Sequence, residues 1–219
     1  MPFAFIFDMD GVIVDTNPYH KIALKQFAEK YGYPLDEEGL IKKIYGRTNK
    51  EWIPHLFGRT ITTAELSYFG EEKEAMFREL YEKDIVEVKG LTSFLEEATR
   101  LNIKMAIGTS APRSNVDFVL KHTGIEKFFS AILDESHVTH GKPDPEIYTK
   151  CAASLKLPPA QCVVFEDSLS GIAAAKAAGC HVVGITTTHT AQELEVSIKM
   201  KDFTQQTPSW LVDQFKYHP

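Results

Sequence analysis

Phe3-Ala4-Phe5-Ile6-Phe7-Asp8-Met9-Asp10-Gly11-Val12-Ile13 decides the fold: apolar residues without polar alternation, then two carboxylates and a glycine. Such a run suits a strand covered on both faces, as in a parallel sheet flanked by helices. It stops at Asp8, far short of a membrane span, and lacks the basic start and small-residue cleavage site of a signal peptide. Similar short runs recur at 103–107, 131–133, 162–165 and 181–185, each followed by a helical pattern. The alternation predicts an α/β fold, a doubly wound parallel sheet.

One stretch breaks the alternation, because from Pro18 to Val88 the pattern is helical throughout. Tyr19, Ile22, Ala23, Gln26, Phe27 and Lys30 fall on one helical face. A second long pattern over 64–83 runs through Leu66, Phe69, Lys73, Met76, Phe77 and Leu80. The expected organisation is a core of residues 1–15 and 88–219 with an inserted all-helical cap over 16–87. The turn-prone exits at Asp15-Thr16-Asn17-Pro18 and at 86–90 are candidate hinges. Within the core, Ser168 is placed to cap a helix that runs through Ala178 to Gly179, and Asp144-Pro145 to open one that reaches Leu155. The stretch around Trp210, Leu211 and Phe215 reads as a last helix packed on the sheet.

A length of 219 residues, 43% hydrophobic and 25% charged, is enough for one good core and a smaller attached unit. The formal net charge of -6 gives no global field for nucleic acid or anionic lipid, so neither is an expected partner. Any anionic substrate must be held locally. Cys151, Cys162 and Cys180 are odd in number and lack metal-ligand spacing, which fits buried thiols in a reducing cytoplasm. A cytoplasmic monomer is expected.

In open α/β sheets ligands bind at the carboxyl ends of the strands. Asp8-Met9-Asp10-Gly11 follows the first run, Gly108-Thr109-Ser110 the second, and Glu166-Asp167-Ser168 the fourth, while Gly141-Lys142-Pro143-Asp144-Pro145 precedes the helix after the third. Singly these are a turn, a cap, a solvated lysine and an acidic first helical turn. Together they supply a carboxylate nucleophile, an acid/base, a hydroxyl, a cation and metal-binding carboxylates, the inventory of transfer through an acyl phosphate. Two residues apart on an extended strand, Asp8 and Asp10 are expected to face the same side.

These segments, in this order and spacing, resemble the four motifs of the haloacid dehalogenase superfamily, and the insertion resembles the cap of its β-phosphoglucomutase-like branch. The resemblance implies a Rossmann-like core and Mg2+-dependent phosphoryl transfer on a small phosphorylated metabolite. Asp8 would be the nucleophile and Asp10 the general acid and base; Lys142 would neutralise charge while Thr109 and Ser110 hold the phosphoryl group. The metal would take Asp8, the Asp10 backbone carbonyl and Asp167, with Glu166 as an outer or alternate ligand. A dehalogenase would not need the carboxylate at Asp10.

Substrate choice is expected to lie in the cap and its hinges. His20 is the most suggestive residue there; Thr16 could cap the following helix or bond Asp10; Arg47, beside Gly46, could clamp a distal anionic group. Lys73 is a weaker candidate, since a charge on a helix is usually its wet face. Tyr45 stands where the mutase pattern has a lysine, the arginine adjoins the glycine, and Ala111-Pro112-Arg113 replaces a serine-lysine pair. These departures favour a phosphatase acting on a sugar phosphate or similar ester, with β-phosphoglucomutase as the alternative. A phosphate-binding module without turnover is a third, disfavoured by the complete set of Asp8, Asp10, Lys142 and Asp167.

Overall fold

In the computed structural model the described residues are 3–36, 38–39 and 49–217. The chain divides into two compact units, Met1–Asp15 with Ile85–Pro219, and Thr16–Asp84. Among the described residues no helix is long and apolar enough to cross a membrane.

The first unit is built on a parallel sheet with strands β1 Ala4–Phe7, β2 Lys104–Gly108, β3 Ala131–Leu133, β4 Cys162–Glu166, β5 His181–Ile185 and β6 Ile198–Met200. Their spatial order is β3-β2-β1-β4-β5-β6, so the winding direction reverses between β1 and β4. Such a switch point opens a crevice at the carboxyl ends of the two strands. The missing alternation in the first run has a direct cause, since both faces of β1 are dry. Ala4 and Ile6 join a buried cluster with Ala106, Val164, Tyr148 and Ala174. On the other face the Phe5 and Phe94 rings lie 5.7 Å apart, Phe7 and Phe165 4.6 Å, and Phe94 and Phe203 5.1 Å. Strand β6 was not foreseen; it is three residues long with Lys199 exposed, too short and polar to stand out.

Side-chain acceptors stand at the starts of two helices of this unit. Ser168 Oγ accepts the Gly171 N–H at 3.0 Å at the start of Leu169–Ala178, and Gly179 closes that helix at φ 80°. Asp144 Oδ1 accepts the Glu146 N–H at 2.9 Å, opening Glu146–Leu155. The final helix spans Pro208–Tyr217, with Leu211 fully buried.

The second unit contains helices Asn17–Lys30, Asn49–Phe57 and Thr63–Tyr81 around a core of Leu24, Phe27, Ala28, Trp52, Ile53, Leu56 and Phe69. The buried stripe of the first helix is Ala23, Leu24, Phe27 and Ala28. It is turned from the expected face, for Ile22 is 43% exposed and Gln26 and Lys30 are also exposed. Thr62 and Glu65 form a reciprocal capping box at the start of the long helix.

Phe94 is 3% exposed and packs against Phe5, Phe165 and Phe203 on the aromatic face of the sheet. Phe94→Ala is expected to cost about 3–5 kcal/mol. Thermal denaturation should register this as a fall in Tm of roughly 10 °C.

Candidate active site

Asp8 follows β1 directly, and Glu166 and Asp167 lie at the end of β4, so the switch point brings three buried carboxylates together. One oxygen from each lies within 4.8 Å of the others. Lys142, from the loop before Glu146–Leu155, enters this cluster and donates to Asp8 Oδ1 and Glu166 Oε1, both at 2.7 Å. Its ammonium stands 4.8 Å from the Tyr148 ring centroid, while the Tyr148 hydroxyl donates to Glu166 Oε1 at 2.8 Å.

The two carboxylates after β4 have different surroundings. Both oxygens of Glu166 are engaged: Oε1 by Lys142 and Tyr148, Oε2 by the N–H groups of Asp167 and Ser168 and the Ser168 hydroxyl. Asp167 accepts from the Thr188 hydroxyl. Glycines make room for both groups. A Cβ on Gly171 would lie 1.6 Å from Glu166 Oε1, and one on Gly11 1.9 Å from Asp167 Oδ2.

Burial pushes the Asp8 carboxyl up to about 7, opposed by Lys142 and reinforced by the negative charges of Glu166 and Asp10. Asp167 rises to about 8, again through burial first and then through Glu166 and Asp8. Glu166 is also buried, but Lys142 and its hydrogen bonds outweigh that and hold it below the usual carboxylate range. Asp8 and Glu166 likewise overcome the burial of Lys142 and raise it. Three carboxylates against one ammonium leave two negative charges if all are ionised, a deficit that one divalent cation would balance. An all-oxygen donor set of this kind suits a hard cation such as magnesium or calcium. The fully hydrogen-bonded state of Glu166 makes Asp8 and Asp167 the better donors.

The spacing predicts that Asp8 and Asp10 lie on an extended strand, but β1 ends at Phe7 and neither is part of it. Beyond β1 the Met9 carbonyl accepts N–H groups from Val12, Ile13 and Val14 at 3.3, 2.9 and 3.2 Å, and Gly11 takes φ 77°. A tight loop therefore carries the pair. Thr109, 1% exposed, lies past β2 with its N–H on the Leu133 carbonyl and its hydroxyl accepting the Ala111 N–H at 3.1 Å. Ser110 beside it is exposed.

Within the helical unit, His20 Nδ1 lies 3.2 Å from Lys73 Nζ, and its ring stacks on Phe77 at 3.8 Å between centroids. Lys73 is not a wet-face lysine: it is 5% exposed and paired with the equally buried Glu74 at 2.5 Å. Thr16 is fully buried at the N-cap of Asn17–Lys30 and makes no side-chain cap bond. Gly46 and Arg47 lie outside the described residues.

Sequence reasoning missed Tyr148, Glu74, Thr187 and Thr188. The strand-end rule that located the other motifs also points past β5, where Thr187 and Thr188 lie. Tyr148 and Glu74 carry no comparable signal, because each sits inside a helix and away from a strand end, Glu74 among several other glutamates.

The family model for haloacid dehalogenase-like hydrolases matches residues 5–185. A phosphorylated carbohydrates phosphatase from Thermotoga maritima is 38% identical over 180 residues, 80% of this chain and 81% of that protein. A β-phosphoglucomutase from Bacillus subtilis is 34% identical, covering 83% of this chain and 82% of the relative. The crystal structure of a HAD hydrolase, family IA, variant 3, from Entamoeba histolytica superposes with a TM-score of 0.90 at 31% identity, over 99% of this chain and 100% of that one. With these likenesses added to six parallel strands and a lysine-bridged carboxylate cluster at the switch point, the chain belongs to the haloacid dehalogenase-like hydrolases, in their β-phosphoglucomutase-like branch of phosphatases and phosphomutases.

Proposed function

We propose that this enzyme is a magnesium-dependent phosphatase of small phosphomonoesters, sugar phosphates above all, which works through an aspartyl phosphate on Asp8. The observation that carries the proposal is the bridge from Lys142 to Asp8 and Glu166, with Asp167 beside it, at the switch point of the sheet. A buried carboxylate held by an ammonium beside further carboxylates is equipped for displacement at phosphorus. The phosphatase from Thermotoga maritima supports the choice of carbohydrate esters.

Asp8 attacks phosphorus and the ester P–O bond breaks, with Asp10 delivering its proton to the departing oxygen. Asp10 then takes a proton from water as that water attacks the aspartyl phosphate. The P–O bond to Asp8 breaks, and free phosphate and the original carboxylate are released. Lys142 neutralises Asp8 and the phosphoryl oxygens during both displacements, and Thr109 and Ser110 hold those oxygens. Glu166 anchors Lys142. Magnesium, held by Asp8, Asp167 and the Asp10 carbonyl, would supply charge neutralisation to the phosphoryl group.

We assign substrate choice to the helical unit, Thr16–Asp84, because the core motifs handle only the phosphoryl group. His20 and Lys73 are the residues there proposed to bind substrate, with Thr16 and with Gly46 and Arg47. The alternative is β-phosphoglucomutase, favoured by the 34% identity to the Bacillus subtilis enzyme. A mutase must bind a bisphosphate in two orientations, and the departures at Tyr45, Arg47 and Ala111-Pro112-Arg113 weigh against that.

Phosphate release from β-glucose 1-phosphate, with Mg2+ and a trace of β-glucose 1,6-bisphosphate, is expected to exceed glucose 6-phosphate formation. Fast isomerisation with little free phosphate would make the enzyme a mutase. Across a panel of sugar phosphates, chelation should abolish release and added Mg2+ restore it. Asp8→Asn should reduce release to background, and Asp10→Asn should slow it by about 100- to 10,000-fold. Activity surviving Asp8→Asn would sink the covalent route.

Gly171→Ala places a methyl group 1.6 Å from Glu166 Oε1 and must displace that anchor. A drop in kcat/KM of at least about 100-fold is expected, with a stability loss on the order of 3 kcal/mol in denaturant titrations. Full activity in this variant would remove Glu166 from the mechanism.

A further inference from the structure

We propose that Thr188, supported by Thr187, is a positioning residue that fixes the Asp167 carboxylate and thereby sets the affinity of the carboxylate cluster for its divalent cation. This assignment rests on the magnesium-dependent reading of the same site and adds to it a part of the chain outside the four motifs.

Asp167 is 3% exposed, yet its surroundings differ from those of its neighbour. Glu166 is oriented by a cation, a phenol, a hydroxyl and two backbone N–H groups. Among the described residues, the group that donates to the Asp167 carboxylate is the Thr188 hydroxyl, on Oδ2. A neutral donor of this kind fixes the plane of a carboxylate while leaving its charge in place. Gly11 also borders Oδ2, and its missing Cβ is the space the oxygen fills. Thr187 completes the arrangement by donating through Oγ1 to the Gly11 carbonyl at 2.5 Å. Consecutive threonines thus hold the loop after β1 and the carboxylate after β4 in one register.

A clamp is only as firm as its own support. Before the pair, the Thr186 N–H donates to the Met200 carbonyl at 2.9 Å and fastens the segment to β6. After it, Glu193 Oε2 accepts the N–H and the hydroxyl of Thr190, both at 2.8 Å. Leu194 is fully buried and packs against Gly184 of β5. The segment is therefore anchored on both sides of Thr187 and Thr188. Groups that orient a metal ligand commonly change metal affinity by about 10- to 100-fold when removed.

The test is Mg2+ binding without substrate, followed by calorimetric titration and by the Mg2+-induced rise in Tm. Thr188→Val keeps the shape and removes the hydroxyl; it should weaken Mg2+ binding by about 10- to 100-fold, with Thr188→Ser within about threefold of the parent. Thr188→Ala repeats the loss of the hydroxyl should the valine variant fold poorly. A purely structural role would lower the Tm measured in chelator while leaving Mg2+ affinity unchanged, and that result would overturn the proposal. So would equal weakening by serine and valine. If the parent chain bound no Mg2+, the magnesium-dependent reading would fall and this proposal with it; normal binding by the parent and by both hydroxyl-free variants would overturn this proposal alone.

Discussion

Lys142 is the charge on which the site depends. An ammonium taken out of water is costly, and here the cost is offset by two carboxylates at 2.7 Å, each contributed by a different strand end. The pairing can form only if β1 and β4 are neighbours and their last residues stand level. The parallel register, Phe7 opposite Phe165, places Asp8 and Glu166 in that relation. Around the bridge the tolerances are small. Glu166 occupies space that any side chain at Gly171 would fill, and Asp167 occupies space that a side chain at Gly11 would fill. These glycines are required by close approach, and at Gly11 also by a backbone with φ 77°.

Rigidity comes from the layers beneath. The aromatic face formed by Phe5, Phe7, Phe94, Phe165 and Phe203 and the opposite face around Tyr148 and Cys151 hold the strand ends from both sides. Tyr148 belongs to both the core and the site: its ring is fully buried in the cluster under the sheet, and its hydroxyl orients Glu166. Carboxylates crowded into a buried pocket resist ionisation, which is why Asp8 and Asp167 rise to about 7 and about 8. A divalent cation relieves that crowding. In the proposed magnesium-dependent reading, the electrostatic strain of the protein alone and the need for a cation have one source.

Much of this was legible in the sequence because apolar runs, capping residues and strand-end motifs are local signals. Ser168 and Gly179 marked their helix correctly, and the carboxylates after β1 and β4 stood out because charge follows a buried run abruptly. What escaped depends on tertiary context. Lys73 looked like a solvated charge, since nothing local announces that His20, 53 residues earlier, and Glu74 will bury it. The face of Asn17–Lys30 was turned because Ile22 is apolar and yet exposed, while Leu24 is buried. Strand β6 is too short for periodicity to register. Thr188 was missed although the strand-end rule reaches it, because a hydroxyl in a run of threonines carries no charge to draw the eye.

The helical unit follows the same logic as the core on a smaller scale. Most of its interior is apolar and aromatic, with Phe27, Trp52 and Phe69 packed together. Against that background the ion pair of Lys73 and Glu74, with His20 beside it, is expensive for stability alone, since apolar residues of similar size would commonly pack as well or better. The ring of His20 is also held, stacked on Phe77 at 3.8 Å, so its orientation is set by packing rather than by solvent. A polar group fixed in this way keeps its donors and acceptors in defined places, which is the requirement for choosing among substrates that share one phosphoryl group. In the proposed mechanism the expensive charges of the core serve the phosphoryl group. The substrate-binding role proposed for His20 and Lys73 would give the corresponding cost in the helical unit a purpose, recognition of the remainder of the substrate.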